Sequence, residues 1–183
     1  MVDSFAYREE RFTPAEAAAC TGLSLAMQRD WRRHGHLPAR SGGTASFGPR
    51  ELAEMRLMVL MRQMGLGPSK SRGLAQEAAP SLVWLILVDH PSTWAVEGPA
   101  ETAAHYRDKL EALGDSHLRS MAGLHDRVRL YGVAEGEEVD FVTQIAGEEF
   151  DNKHELITVL SLRAVAAAMA AALDRPLFTI LAR

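Results

Sequence analysis

The stretch Thr13–Leu37, TPAEAAACTGLSLAMQRDWRRHGHL, decides how this chain is read. It predicts two short helices joined by a tight turn. Thr13 stands where an N-cap belongs, and Glu16 follows three residues later, the spacing of a capping box. Pro14 takes the first helical position, where its missing N–H costs nothing. Ala15 to Cys20 is a run of small side chains that lets a second helix approach closely. Gly22 ends the first helix, because the left-handed conformation needed there is cheap only for glycine. Ser24 then caps the second helix. Leu23, Met27 and Trp31 recur every four residues and share one buried face. Gln28, Arg29, Arg32 and Arg33 fall mostly on the other face. Arginine suits the major-groove edge of guanine and glutamine that of adenine, and a basic helix end suits phosphate. The pattern therefore predicts a DNA-binding helix-turn-helix. Two short arginine-bearing helices also occur as ordinary solvated surface, so the motif needs its context.

Working outward, the Gly/Ser-rich segment after His36-Leu37-Pro38 predicts a small hairpin, a wing over Arg40–Phe47. Pro49 opens a strong helix to Met64, with Leu52, Met55, Val59 and Met64 near one stripe and Leu60 and Met61 widening it. Gly65 stops it. Pro68 and Ser69 begin another helix, to about Ala79, which Pro80 is expected to end.

Residues 11–79, in this order and spacing, resemble the winged-helix DNA-binding domain of MerR-type transcriptional regulators. The resemblance is carried by Thr21-Gly22-Leu23-Ser24, Arg29, Trp31 and Gly35-His36-Leu37-Pro38. Phe47, the acidic-leucine pair Glu51-Leu52 and the R-x-x-G-L segment Arg62 to Leu66 complete it. The chain departs from the pattern at Gln28, where the family has an aliphatic residue, and at His36, where it prefers leucine. It departs again at Ala45, where a wing arginine usually grips phosphate. The resemblance implies a transcriptional regulator that binds double-stranded DNA as a homodimer on a palindrome. On that basis the helix Ser24–His34 enters a major groove and the wing lies on the flanking backbone. The expected DNA-binding residues are Ser24, Gln28, Arg29, Arg32, Arg33, Arg40 and Arg50. Arg29 and Arg32 would meet bases or nearby phosphates, and Arg33, Arg40 and Arg50 phosphates. The alternatives are a phage-type architectural, excision or packaging DNA-binding protein and, more weakly, a protein-interaction module.

Charge is split along the chain. Residues 11–72 hold 10 Lys/Arg against 4 Asp/Glu, a balance of +6, whereas residues 73–183 hold 9 against 17, a balance of −8. A basic first third on an acidic remainder is the footprint of a DNA-binding domain attached to something else. The 183 residues are 47% hydrophobic and 24% charged, a globular composition. The longest apolar run, Leu82 to Val88, is far short of the ~18–20 residues of a membrane span. The start, MVDSFAYREE, lacks the basic and apolar regions of a signal peptide, and residues 1–10 are expected to be flexible. A single cysteine suits a reducing compartment. The expectation is a cytoplasmic protein.

Residues 81–183 read as an α+β sensing or dimerisation domain, making the whole chain an α+β protein: an N-terminal winged helix-turn-helix followed by a mixed α/β part. Strands are predicted at Leu82–Val88, with Thr93–Val96 as its hairpin partner, and at Arg127–Val133, Val139–Ile145, Leu156–Leu160 and Leu177–Leu181. Helices are predicted at Pro99–Leu113, His117–Arg127 and Leu162–Leu173, the last capped by Ser161. No heptad pattern is sustained. The seven histidines fall in no metal-binding motif, although His117 and His125 share a helical spacing. Cys20 reads as a packing thiol, and the acidic residues from Glu135 to Asp151 read as solvated loops. No catalytic residue, metal or cofactor is expected, and the chain is not expected to be an enzyme. An unidentified small-molecule effector fits the sensing role.

Overall fold

The computed structural model describes residues 6–38, 45–113, 115–123, 130–134, 139–142 and 157–182. The chain is α+β and mostly helical. Two short helices, α1 (Pro14–Thr21) and α2 (Leu25–Arg33), precede α3 (Pro49–Gln63) and the long α4 (Pro68–Asp89). The predicted caps form as expected. Thr13 and Glu16 complete a capping box on α1, Gly22 takes φ 76° behind it, and the Ser24 hydroxyl accepts from Met27 N–H to cap α2.

The largest departure from expectation is α4. The sequence predicts a helix ending at Pro80 and a strand over Leu82–Val88, and the helix instead runs on through both. Leu82, Val83, Leu85, Ile86 and Leu87 are all buried. A short apolar run carries no period by which a buried helix is told from a buried strand, and here it forms a helix with only Trp84 and Val88, one turn apart, half-buried. The proline has a structural cost: it has no N–H for the carbonyl four residues back, Gln76. Arg50, on α3, donates Nη2 to that carbonyl at 3.2 Å. The expected division at residues 80 and 81 thus falls inside one helix.

Helix α4 packs against α3, against α6 (Asp115–Ala122) and against α7 (Leu162–Ala172). Helix α7 is capped by Ser161, as its sequence predicts. After α4 comes a short 3-10 turn, Pro91–Thr93. Thr93 Oγ1 donates to His90 O at 2.7 Å, and Trp94 Nε1 donates to Leu87 O at 3.2 Å, so the start of the next strand is fastened to the end of α4.

That strand is β2 (Trp94–Glu97), and it has no hairpin partner. It pairs in parallel with β6 (Phe178–Leu181), Trp94 opposite Phe178. On the other side of β6 lies β1 (Ala6–Glu9), antiparallel, with Tyr7 opposite Ile180. Residues 6–9, expected to be flexible, thus form an edge strand that joins the two ends of the chain. A second three-stranded sheet has β3 (Leu130–Ala134) between β4 (Val139–Val142) and β5 (Ile157–Leu160), antiparallel to both. Helix α5 (Ala100–Leu113) falls where it was predicted. Residues 39–44, 124–129, 135–138 and 143–156, with most of the wing, His125 and most of the acidic run, lie outside the described residues. No described helix is long and apolar enough to cross a membrane.

If Arg50 serves the carbonyl that Pro80 leaves open, their substitutions must be coupled. Arg50→Ala is expected to lower stability by roughly 1 kcal/mol in the natural chain. It should cost close to nothing when Pro80→Ala has restored the N–H. A four-member cycle by chemical denaturation measures this, and additive effects would refute the pairing.

Candidate nucleic-acid interface

The turn between α1 and α2 is held from every side. Gly22 N–H donates to Ala18 O at 3.0 Å. Thr21 is fully buried; its hydroxyl donates to Ala17 O at 2.6 Å and accepts from Leu23 N–H at 3.1 Å. Arg56 of α3 donates Nη1 to Thr21 O at 3.3 Å. Leu23 and Trp31 are buried and Met27 is half-buried, so the face spaced by four residues packs as predicted.

Gln28 is a correction. Expected on the outer face as a reader of adenine, it is 1% exposed. Its Nε2 donates to Pro14 O and to Leu23 O, both at 2.9 Å. The amide therefore staples the first turn of α1 to the loop ahead of α2. Its Oε1 is buried without a hydrogen-bond partner among the described residues.

The other expected contacts divide. Leu25, Ala26, Arg29 and Arg33 are exposed on α2. Arg29 has no ion pair or hydrogen bond among the described residues, whereas Arg33 is held by Asp30 at 2.6 Å. Arg32 is half-buried, its guanidinium 5.9 Å from the centre of the Phe47 ring. It therefore packs on Phe47. Arg50 is exposed and engaged with Gln76 O and with Glu54 at 3.4 Å, which gives it a structural task. Ser24 caps α2 from an exposed position. Arg40 lies outside the described residues. Phe12 and Phe47 exchange both backbone hydrogen bonds, at 2.9 and 2.8 Å, as an isolated antiparallel bridge.

Both ends of the helix pair are anchored by residues that the sequence pattern did not single out. Arg72, near the start of α4, donates to Gly35 O at 2.6 Å, just past the end of α2. Arg175, between α7 and β6, donates Nε to Glu16 Oε1 at 3.0 Å, donates Nη2 to Arg11 O and stacks over Phe12 at 4.3 Å. The Thr13 backbone N–H, the Thr13 hydroxyl and Arg175 together hold the Glu16 carboxyl down at about 2. The partners of Arg72 and Arg175 are 37 and 159 residues away in sequence, beyond the reach of any local periodicity. Cys20 is buried against Ala17 O, and burial pushes its thiol up to about 11, as befits packing and not reactivity. No group of three or more candidate metal ligands occurs among the described residues. Comparison with family models, curated proteins and solved structures finds no match to this chain.

Two outcomes follow from this geometry. Gln28→Ala removes two buried hydrogen bonds and is expected to cost about 2–3 kcal/mol, whereas exposed Arg29→Ala leaves the melting temperature unchanged. Equal effects on thermal unfolding would contradict the assignment of one residue to the interior and the other to the surface. For Glu16 the folded state holds its proton less tightly than the unfolded chain. The stability it contributes is complete above its ordinary value of 4.5 and disappears as pH falls toward about 2. Glu16→Gln should flatten the stability profile in that window, and an unchanged slope would show that the carboxylate is not held there.

Proposed function

We propose that this protein is a sequence-specific, double-stranded-DNA-binding regulator of transcription, similar in its N-terminal part to the MerR-type winged helix-turn-helix. One observation carries the proposal. Helix α2 buries Trp31 and also Gln28, which bonds to Pro14 O of α1 and to Leu23 O, and it presents Leu25, Arg29 and Arg33 to solvent along one stripe. A short helix fastened on its inner face and basic on its outer face is suited to lie in a major groove, with its first turns toward the base edges. Arg29, exposed and without a partner among the described residues, is the residue proposed to reach a base. Arg33, steadied by Asp30, is proposed to lie against phosphate, with Ser24 beside the backbone. The charge of +6 over residues 11–72 supports the same assignment, because phosphate neutralisation supplies much of the affinity.

The proposal includes a homodimer reading a palindrome, with two copies of α2 in successive major grooves ~34 Å apart. The C-terminal part would then join the copies or receive a small-molecule signal.

Titration of genomic duplexes at several salt concentrations tests this. Affinity is expected to fall steeply with salt, and Arg29→Ala to weaken binding to the preferred sequence about ten- to a hundredfold, relaxing its specificity. Arg33→Ala should weaken binding evenly across sequences and reduce the salt slope by about 1. Salt-independent binding, or Arg29→Ala with full affinity and specificity, would remove the assignment.

A further inference from the structure

Among the residues whose side-chain burial is described, two large hydrophobic side chains are exposed, Tyr7 at 39% and Leu25 at 44%. Tyr7 stands edge-on to Phe178, with ring centroids 5.8 Å apart, so its exposure is that of a ring lying on the core. Leu25 is different in position. It is the first residue of α2 and lies one turn before Arg29 and two before Arg33 on the same exposed stripe. Ala26, next to it, is exposed too and is small enough to let a partner come close.

An isolated surface leucine is ordinary and by itself calls for nothing. Its neighbours give it meaning. The stripe runs from one apolar group on the first turn to two guanidinium groups, at Arg29 and at the last residue, Arg33, of the helix that the proposed function places in a major groove. There the one large apolar feature offered by the bases is the C5-methyl group of thymine, and the feature best matched to arginine is guanine. A hydrophobic protein surface would also accept Leu25, but the flanking positive charges favour a polyanion.

The geometry points to Leu25 as a specificity-determining residue that reads a thymine methyl group. This rests on the DNA-binding assignment above and adds a base identity to it. Four residues of helix advance ~6 Å. Successive base pairs are ~3.4 Å apart along a strand. The thymine read by Leu25 therefore lies one or two base pairs from the guanine read by Arg29.

The test starts from a random-sequence duplex pool enriched on the full-length protein. The expected half-site contains a thymine one or two positions from a guanine. Replacing that thymine by uracil removes only the methyl group and should weaken binding about three- to tenfold. With Leu25→Ala the thymine and uracil duplexes should bind alike, whereas Arg29→Ala should lower both and keep their ratio. Leu25 is exposed, so thermal unfolding of Leu25→Ala should match that of the natural chain. The uracil measurement on the natural protein stands whatever the variant does. An enriched half-site at which uracil is tolerated at every position overturns the methyl contact while leaving DNA binding intact. So does uracil sensitivity that survives Leu25→Ala, which would turn the leucine toward a protein partner. A pool with no enrichment overturns both this inference and the DNA-binding assignment beneath it.

Discussion

The architecture depends on α4 remaining one helix across Pro80. A proline in a helix interior costs ~3 kcal/mol or more, partly through the carbonyl it leaves without a donor. Here a guanidinium from the neighbouring helix, Arg50, supplies that donor. The surrounding packing contributes the rest. Leu82, Val83, Leu85, Ile86 and Leu87 are buried, and each fully buried aliphatic side chain contributes about 1.5–3 kcal/mol, so the helix tolerates its proline with a wide margin. What the unbroken helix gains is a rod with different tasks at its two ends. Arg72, near the first turn, reaches Gly35 O beyond α2, while Leu87 O, near the last, receives the Trp94 indole at the edge of the sheet.

Much of the N-terminal third was legible because its signals are local. A capping box, a glycine at φ 76° and a serine cap each depend on residues within four positions, and all formed where the sequence placed them. The errors came where the deciding partner is distant. Leu82–Val88 reads as a strand because β-branched and aromatic residues crowd it, and it belongs instead to a helix that packs along its length against α3, α6 and α7. Trp94–Glu97 is a strand, as expected, but its partner is β6, over eighty positions on, and no turn signal announces a parallel pairing. Residues 6–9 read as flexible from the sequence and are instead paired with β6.

The candidate site shows the same division at finer scale. Residue type alone put Gln28 with the arginines, since glutamine and arginine both serve as base readers. The spacing alone gives a different answer: Gln28 lies next to Met27 and three positions before Trp31, on the border of the buried stripe. Two carbonyls, Pro14 O and Leu23 O, settle which side of that border it takes. Arg50 illustrates the converse. Its exposure fits a phosphate contact, but a proline thirty residues later in sequence gives its guanidinium another acceptor. Leu25 went unnoticed because an apolar residue in a basic helix is read as part of the core until its exposure is known.

These anchors also constrain how the C-terminal part could act on α2. The turn before the helix is tied to α3 through Arg56, the residue just beyond it to α4 through Arg72, and α1 to the segment before β6 through Arg175. With its inner face closed by Gln28 and Trp31, α2 has no soft joint of its own about which to turn. A displacement originating near α7 or β6 would meet α1 first, through the Arg175–Glu16 pair, and would carry α1 and α2 together because Gln28 bonds across them. If the proposed DNA contact is controlled from the C-terminal part, these bonds would carry α1 and α2 as a unit, which in the proposed dimer would change the spacing of the two copies of α2 and leave the side chains that each presents unaltered.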